Sequence, residues 1–199
     1  MNSHRILPII ALALVTSMAP AAIDLTPRAT HYEVEGLKFP CVAFKNGSRE
    51  ISYTPPEGWR LSGGGNRLTL SPKQPTQADA SIEVLPPLAP GTILTPEALL
   101  KLACAALPRG AEKVEHLGNT ENPLRIDGNG TVEVALRYQQ AGLGYRTNVI
   151  LMMRGSDLWR FAMSARNQDF DKVSTPFRSS LYSLQGLAEM APATSTAKR

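Results

Sequence analysis

Histidine, cysteine, serine and acidic side chains are where chemistry would be sought first in this chain of 199 residues. Imidazole titrates near neutral pH and binds metals through either ring nitrogen, so His4, His31 and His116 are the first candidates for a general base or a ligand. His4 falls in a segment expected to be removed. Neither His31 nor His116 is joined by an acid, thiol or second ligand at a spacing that builds a site, and each reads as a surface or half-buried strand residue. The serines lie outside any Gly-x-Ser-x-Gly elbow, which an α/β-hydrolase nucleophile needs. Gly63-Gly64-Gly65 is followed by no Gly-Lys-Ser/Thr and opens no helix, so it reads as a hairpin turn rather than a phosphate cradle. The acids form no tight calcium cluster, and a carboxylate pair for glycosidase work would have to be assembled in three dimensions. No catalytic residue, no metal ligand and no cofactor is therefore assigned from the sequence.

What remains is binding and covalent structure. Cys41 and Cys104 are the two cysteines, and in an oxidising compartment an isolated pair is a candidate disulfide. Such a bridge would stabilise the fold by about 4 kcal/mol in the chain-entropy picture. The alternative is two thiols packing as small apolar groups. Two cysteines do not make a zinc site, which wants three or four ligands. Tyr53 and Trp59 flank Pro55-Pro56, and aromatic residues beside a rigid turn are candidate anchors for a partner. Capping the core is the competing role. Asn46-Gly47-Ser48 and Asn129-Gly130-Thr131 are formal N-glycosylation sequons that also read as Asn-Gly turns, the preferred reading.

The N-terminus addresses the compartment. Arg5 precedes an apolar run over residues 6–15, and Ala19-Pro20-Ala21 supplies the small residues that signal peptidase accepts. Cleavage is expected after Ala21, with Ala22 as the alternative. The run is too short for a spanning helix, which needs about 20 apolar residues, and Pro8 and Pro20 interrupt it. No stable membrane span is expected after cleavage, and a periplasmic or secreted protein is. The formal charge of +4 comes from lysines and arginines interspersed with acids. Without a basic stripe flanked by aromatic residues, a nucleic-acid partner is not expected.

The elements that would position these residues read as one α+β domain over residues 30–187, after a leader at 22–29 and before a small, polar tail at 188–199 expected to be disordered. Residues 30–37, 41–44, 49–54, 67–71 and 81–85 are expected as short strands, several with alternating faces. Thr95 as N-cap, Pro96 at the first turn and the leucines and alanines of 98–107 predict an amphipathic helix ended by Pro108-Arg109-Gly110. A short strand at 113–117 and a turn-rich stretch at 122–130 follow. Residues 131–140, 145–154 and 158–164 predict a three-stranded meander, with 149–153 apolar on both faces and hence central. Residues 169–184 predict a closing helical region in which Pro176 opens a second helix capped by Thr175, rather than kinking one.

Two local patterns carry a resemblance. Ile51-Ser52-Tyr53-Thr54-Pro55-Pro56-Glu57-Gly58-Trp59 resembles the strand, proline turn and tryptophan of the PsbP-like fold family. The stretch from Trp159-Arg160-Phe161 through Phe170 to Phe177-Arg178-Ser179-Ser180-Leu181 is similar to that family's last strand and closing helix. The family comprises the extrinsic PsbP subunit of photosystem II, Ran-binding nuclear relatives and exported bacterial proteins. The resemblance implies an antiparallel sheet between helical layers, and a role in binding proteins rather than catalysis. It transfers no functional residue. The expectation is a non-enzymatic accessory or binding protein of the cell envelope that holds another protein. The alternatives are a small-molecule or lipid carrier with an apolar cleft and a hydrolase whose site goes unrecognised.

Overall fold

A computed structural model describes residues 23–47, 49–73, 77–89, 91–155 and 157–186. The signal segment with Ala19 and Ala21 and the tail at 188–199 lie outside the described residues. Among the described residues ten strands form two antiparallel sheets. The smaller contains β1 (Ile23–Val34), β2 (Leu37–Asn46) and β3 (Arg49–Tyr53) in that order. The larger contains β4 (Trp59–Gly64), β5 (Arg67–Pro72), β6 (Ala78–Leu85), β7 (Glu112–Ile126), β8 (Asn129–Gln140), β9 (Leu143–Arg154) and β10 (Asp157–Arg166). Its spatial order is β4-β5-β6-β10-β9-β8-β7. Helix α1 (Pro96–Cys104) bridges β6 and β7, and α2 (Phe170–Ser180) follows β10 and runs into a 3-10 turn at Leu181–Ser183.

The large sheet is buried on both faces by different partners. On one face the small sheet and α2 close over Leu68, Leu70, Ile82, Ile150, Met152, Trp159, Phe161 and Met163. On the other, Leu99 and Ala103 of α1 pack on Val134, Leu136, Val149, Leu151, Leu158 and Ala162. Residues 149–152 alternate between these two cores, so their continuous apolar run is what a strand covered on both sides requires. Thr95 caps α1 as its residue type predicts: its side chain accepts the Ala98 amide at 3.3 Å.

Four expectations are corrected. The leader at 22–29 belongs largely to β1. Asp24 supports an irregularity there between Asp24 and Arg28, its Oδ1 accepting the Thr26 amide, the Thr26 hydroxyl and the Gly65 amide. These bonds, the Thr26 hydroxyl foremost, hold the Asp24 carboxyl below its ordinary range. The stretch read as a short strand and then turns is one long edge strand, β7, with three register shifts against β8. Bulges break the two-residue period on which strand reading depends. The small sheet is separate from the large one. Finally, Pro176 lies inside a continuous α2 and opens no second helix. Thr175 does not cap from a preceding loop; its hydroxyl donates to the Asp171 carbonyl from within the helix at 3.3 Å.

Candidate functional site

Every residue from Arg28 to Pro40 is exposed, so the β1–β2 hairpin leaves the sandwich as a two-stranded ribbon. Its turn is Glu35-Gly36, with φ of 50° and 80°, the pair of positive values that a two-residue turn between twisted strands demands. Register places Tyr32 opposite Phe39 and Val34 opposite Leu37. Paired residues share a face, so all four apolar side chains lie on one side of the ribbon. His31, Glu33, Lys38 and Pro40 take the other. The Tyr32 and Phe39 rings stack at 5.2 Å, and the four side chains are 39–65% exposed. β1 pairs with β2 alone, and β3 pairs only from Val42 onward. Among the described residues the ribbon's outer backbone edges thus have no strand partner.

The second feature is a groove of about 930 Å³ on the α1 face. Helix α1 is short and covers β8, β9 and β10 only in part. Beyond its end the sheet face turns from leucine and valine to hydroxyls and charges. Arg60, Arg67, Thr69, Ser71 and Lys73 form one wall, and Ala105 to Pro108 form the opposite lip. On the floor Ser164 bonds the Thr147 hydroxyl, and the Tyr138 hydroxyl lies near both. Thr147 is fully buried and Tyr138 nearly so. Burial, ahead of every other cause, pushes the Tyr138 hydroxyl above its ordinary range and keeps it a neutral donor. Tyr145 stacks on Tyr138 at 5.3 Å and donates its own hydroxyl to Gln77 Oε1 at 3.1 Å.

The residues singled out from the sequence are distributed differently. Tyr53 is a core residue with no exposed surface, and its hydroxyl bonds Ser180 Oγ at 2.8 Å. It therefore has no surface to offer a partner, which corrects its candidacy as an anchor. Trp59 is half-buried and stacks on Phe177 of α2 at 6.2 Å, closing the core on that side. Cys41 and Cys104 are free thiols, so the candidate disulfide is not formed in this structure. Cys41 lies buried on β2 in the small sheet, whereas Cys104 is exposed at the end of α1 across the large sheet. His31 sits on the ribbon, and His116 on β7 bonds Asn119 Oδ1 at 2.6 Å. Among the described residues no three His, Cys, Asp or Glu side chains gather as a metal site would require. No described helix is long and apolar enough to cross a membrane. Asn129 uses its side-chain amide to hold the Ile126 and Asp127 carbonyls, as the turn reading expects.

Periodicity alone cannot find the ribbon, because its alternation looks like that of any half-buried strand. The Glu35-Gly36 turn between two long alternating runs was the available signal. The groove is assembled from six strands and a helix end, and no local pattern announces it.

No protein-family model and no curated protein matches the sequence. Among solved structures, the chain is similar to PA94, a Pseudomonas aeruginosa protein of unknown function, at 11% identity over 79% of this chain and 96% of that one, with a TM-score of 0.46. It is also similar to cyanobacterial PsbP from Synechocystis, at 14% identity over 87% and 98% of the two chains, with a TM-score of 0.48. A third similar structure is the Saccharomyces cerevisiae Ran-binding protein Mog1p, at 9% identity over 79% and 90%, with a TM-score of 0.45.

Proposed function

We propose that this chain is an exported, non-enzymatic binding protein of the cell envelope, and that its β1–β2 ribbon holds a protein partner. The projecting apolar face of Tyr32, Val34, Leu37 and Phe39 carries this reading. Aromatic side chains are among the residue types that dominate binding energy at protein interfaces, and here two of them stand stacked and solvent-exposed on a projecting hairpin. The open backbone edges of the same ribbon can extend a partner's sheet. Export rests on the apolar run and the Ala19-Pro20-Ala21 segment. A lipid carrier is less well supported, because the large groove is walled by arginine, lysine, serine and threonine rather than by apolar side chains. A hydrolase is less well supported too, since the groove holds hydroxyls but no histidine or cysteine to activate one.

The test is a photo-crosslinking residue at Leu37 in intact cells, followed by purification and mass spectrometry. One reproducible adduct is expected, and the Tyr32→Ser/Phe39→Ser variant should weaken that interaction tenfold or more. Adducts that are the same with and without the two aromatics would sink the ribbon as a docking element. The intact mass of the purified chain should correspond to a start at Ala22; a retained N-terminal segment would overturn the export half.

A further inference from the structure

We propose that the groove beside α1 is a binding site for a small organic anion carrying a carboxylate or phosphate group. Three cations, Arg60, Arg67 and Lys73, line it against a single carboxylate, Asp79. The cations share the β4–β5 wall. Arg60 lies opposite Ser71 across that pair of strands, and Thr69 lies between Ser62 and Ser81. Arg67 is drawn 3.8 Å from Glu83, whereas among the described residues no carboxylate pairs with Arg60 or Lys73. A guanidinium offers a planar fork that fits two oxygens of one anionic group, and an ammonium adds a point charge that tolerates varied geometry. The opposite lip is the carbonyl end of α1, which disfavours negative charge. The charged end of a ligand is thereby directed to the β4–β5 wall, and its remainder to Ala106, Leu107 and the stacked tyrosines.

The floor distinguishes this groove from an ordinary wet sheet face. Tyr138 and Ser81 line it and are at least nine-tenths buried, as is Thr147, which bonds the lining Ser164, yet each carries a hydroxyl. Burying hydroxyls costs free energy unless bonds satisfy them, and a sheet face meant only for packing would carry valine or leucine here, as it does under α1. The volume is of the order that holds a metabolite-sized ligand, roughly 300–1,000 Å³. The site makes no use of the ribbon and stands or falls apart from the protein-binding reading.

The experiment uses citrate and inorganic phosphate as probes, with thermal unfolding followed at constant ionic strength set by sodium chloride. A ligand that binds only the folded chain raises the transition temperature saturably. Citrate or phosphate is expected to do so, and the exposed-site variant Arg60→Gln/Lys73→Gln should weaken the apparent affinity tenfold or more. The Tyr32→Ser/Phe39→Ser ribbon variant should bind the anion as the parent does. No saturable shift from either probe, or equal shifts in parent and Arg60→Gln/Lys73→Gln, would overturn the proposal.

Discussion

Taking a guanidinium out of water is costly unless its charge is neutralised and its protons are placed. Arg160 on β10 is 6% exposed and meets both conditions in part. Its Nη2 donates to Glu83 Oε2 at 2.6 Å, directly across the β10–β6 pair, and its Nη1 donates to the Leu102 carbonyl at 3.0 Å. One side chain thus ties α1 to the sheet beneath it. Arg160→Met should destabilise the chain by about 3 kcal/mol, because it strands the Glu83 carboxylate in a half-dry site. Arg67, 3.8 Å from the same carboxylate, keeps the loss from being larger. Denaturant midpoints read the effect. The double change Arg160→Met/Glu83→Met should cost less than the single one, and a single-variant loss under about 1 kcal/mol would refute the stranded-charge account. Tyr53 shows the same principle without charge. It donates to Ser180 Oγ, which donates in turn to the Phe177 carbonyl at 2.7 Å, so a phenol sits in the core with its hydrogen bonds met. Sequence could place Tyr53 on a strand beside a proline turn, but which of two faces it took depended on a sheet that forms later in the chain's topology.

At the scale of elements, α2 carries an internal contradiction. Pro176 sits six positions past its first residue, exposed, with no amide to offer the Lys172 carbonyl. Phe170, Val173 and Phe177 are buried, and their packing carries the helix through the proline without a break. Pro176→Ala should restore the missing bond and stabilise the chain by about 1 kcal/mol, read as a higher thermal midpoint. A lower midpoint would mean that the proline's restriction of the unfolded chain outweighs the strain it brings. This helix shows where sequence reading stops. The spacing of its apolar residues was legible, but the strength of tertiary packing that overrides a breaker was not. The meander of β8, β9 and β10 was legible because strict alternation and the Ala141-Gly142 turn agree with one another. β7 was not, since three bulges scramble its period, and β1 was not, since Pro27 and an irregularity interrupt its first half. The helix capped by Thr95 was legible from cap chemistry alone. Nothing local signals the groove, whose cations come from β4, β5 and the segment after it and whose hydroxyl floor comes from β8, β9 and β10.

For the whole molecule, the question is how stability is shared between a doubly covered sheet and a ribbon that leaves it. β9 lies between β10 and β8 with one apolar core on each face, so opening it exposes both cores at once. The ribbon opens at the cost of one stacked ring pair, the Arg28–Glu50 ion pair and a few cross-strand bonds, because among the described residues 28–40 all stay exposed. Native-state hydrogen exchange should therefore be slowest along β9 and β10 and approach the unprotected rate between residues 30 and 40. Low local stability suits a docking hairpin, which must adjust to its partner, and the partner's arrival should then slow exchange in that segment before any other. Ribbon amides as slow as those of β9 in the isolated chain would mean that the hairpin is clamped by contacts absent from this structure. Exchange in the ribbon that is unchanged by the crosslinked partner would separate the ribbon from the interface altogether. Citrate, by contrast, should slow the amides of β4, β5 and β6 around Arg60 and Thr69 and leave the ribbon as it was. The two surfaces lie on different elements, so each ligand has its own pattern of protection, and either pattern can fail without the other.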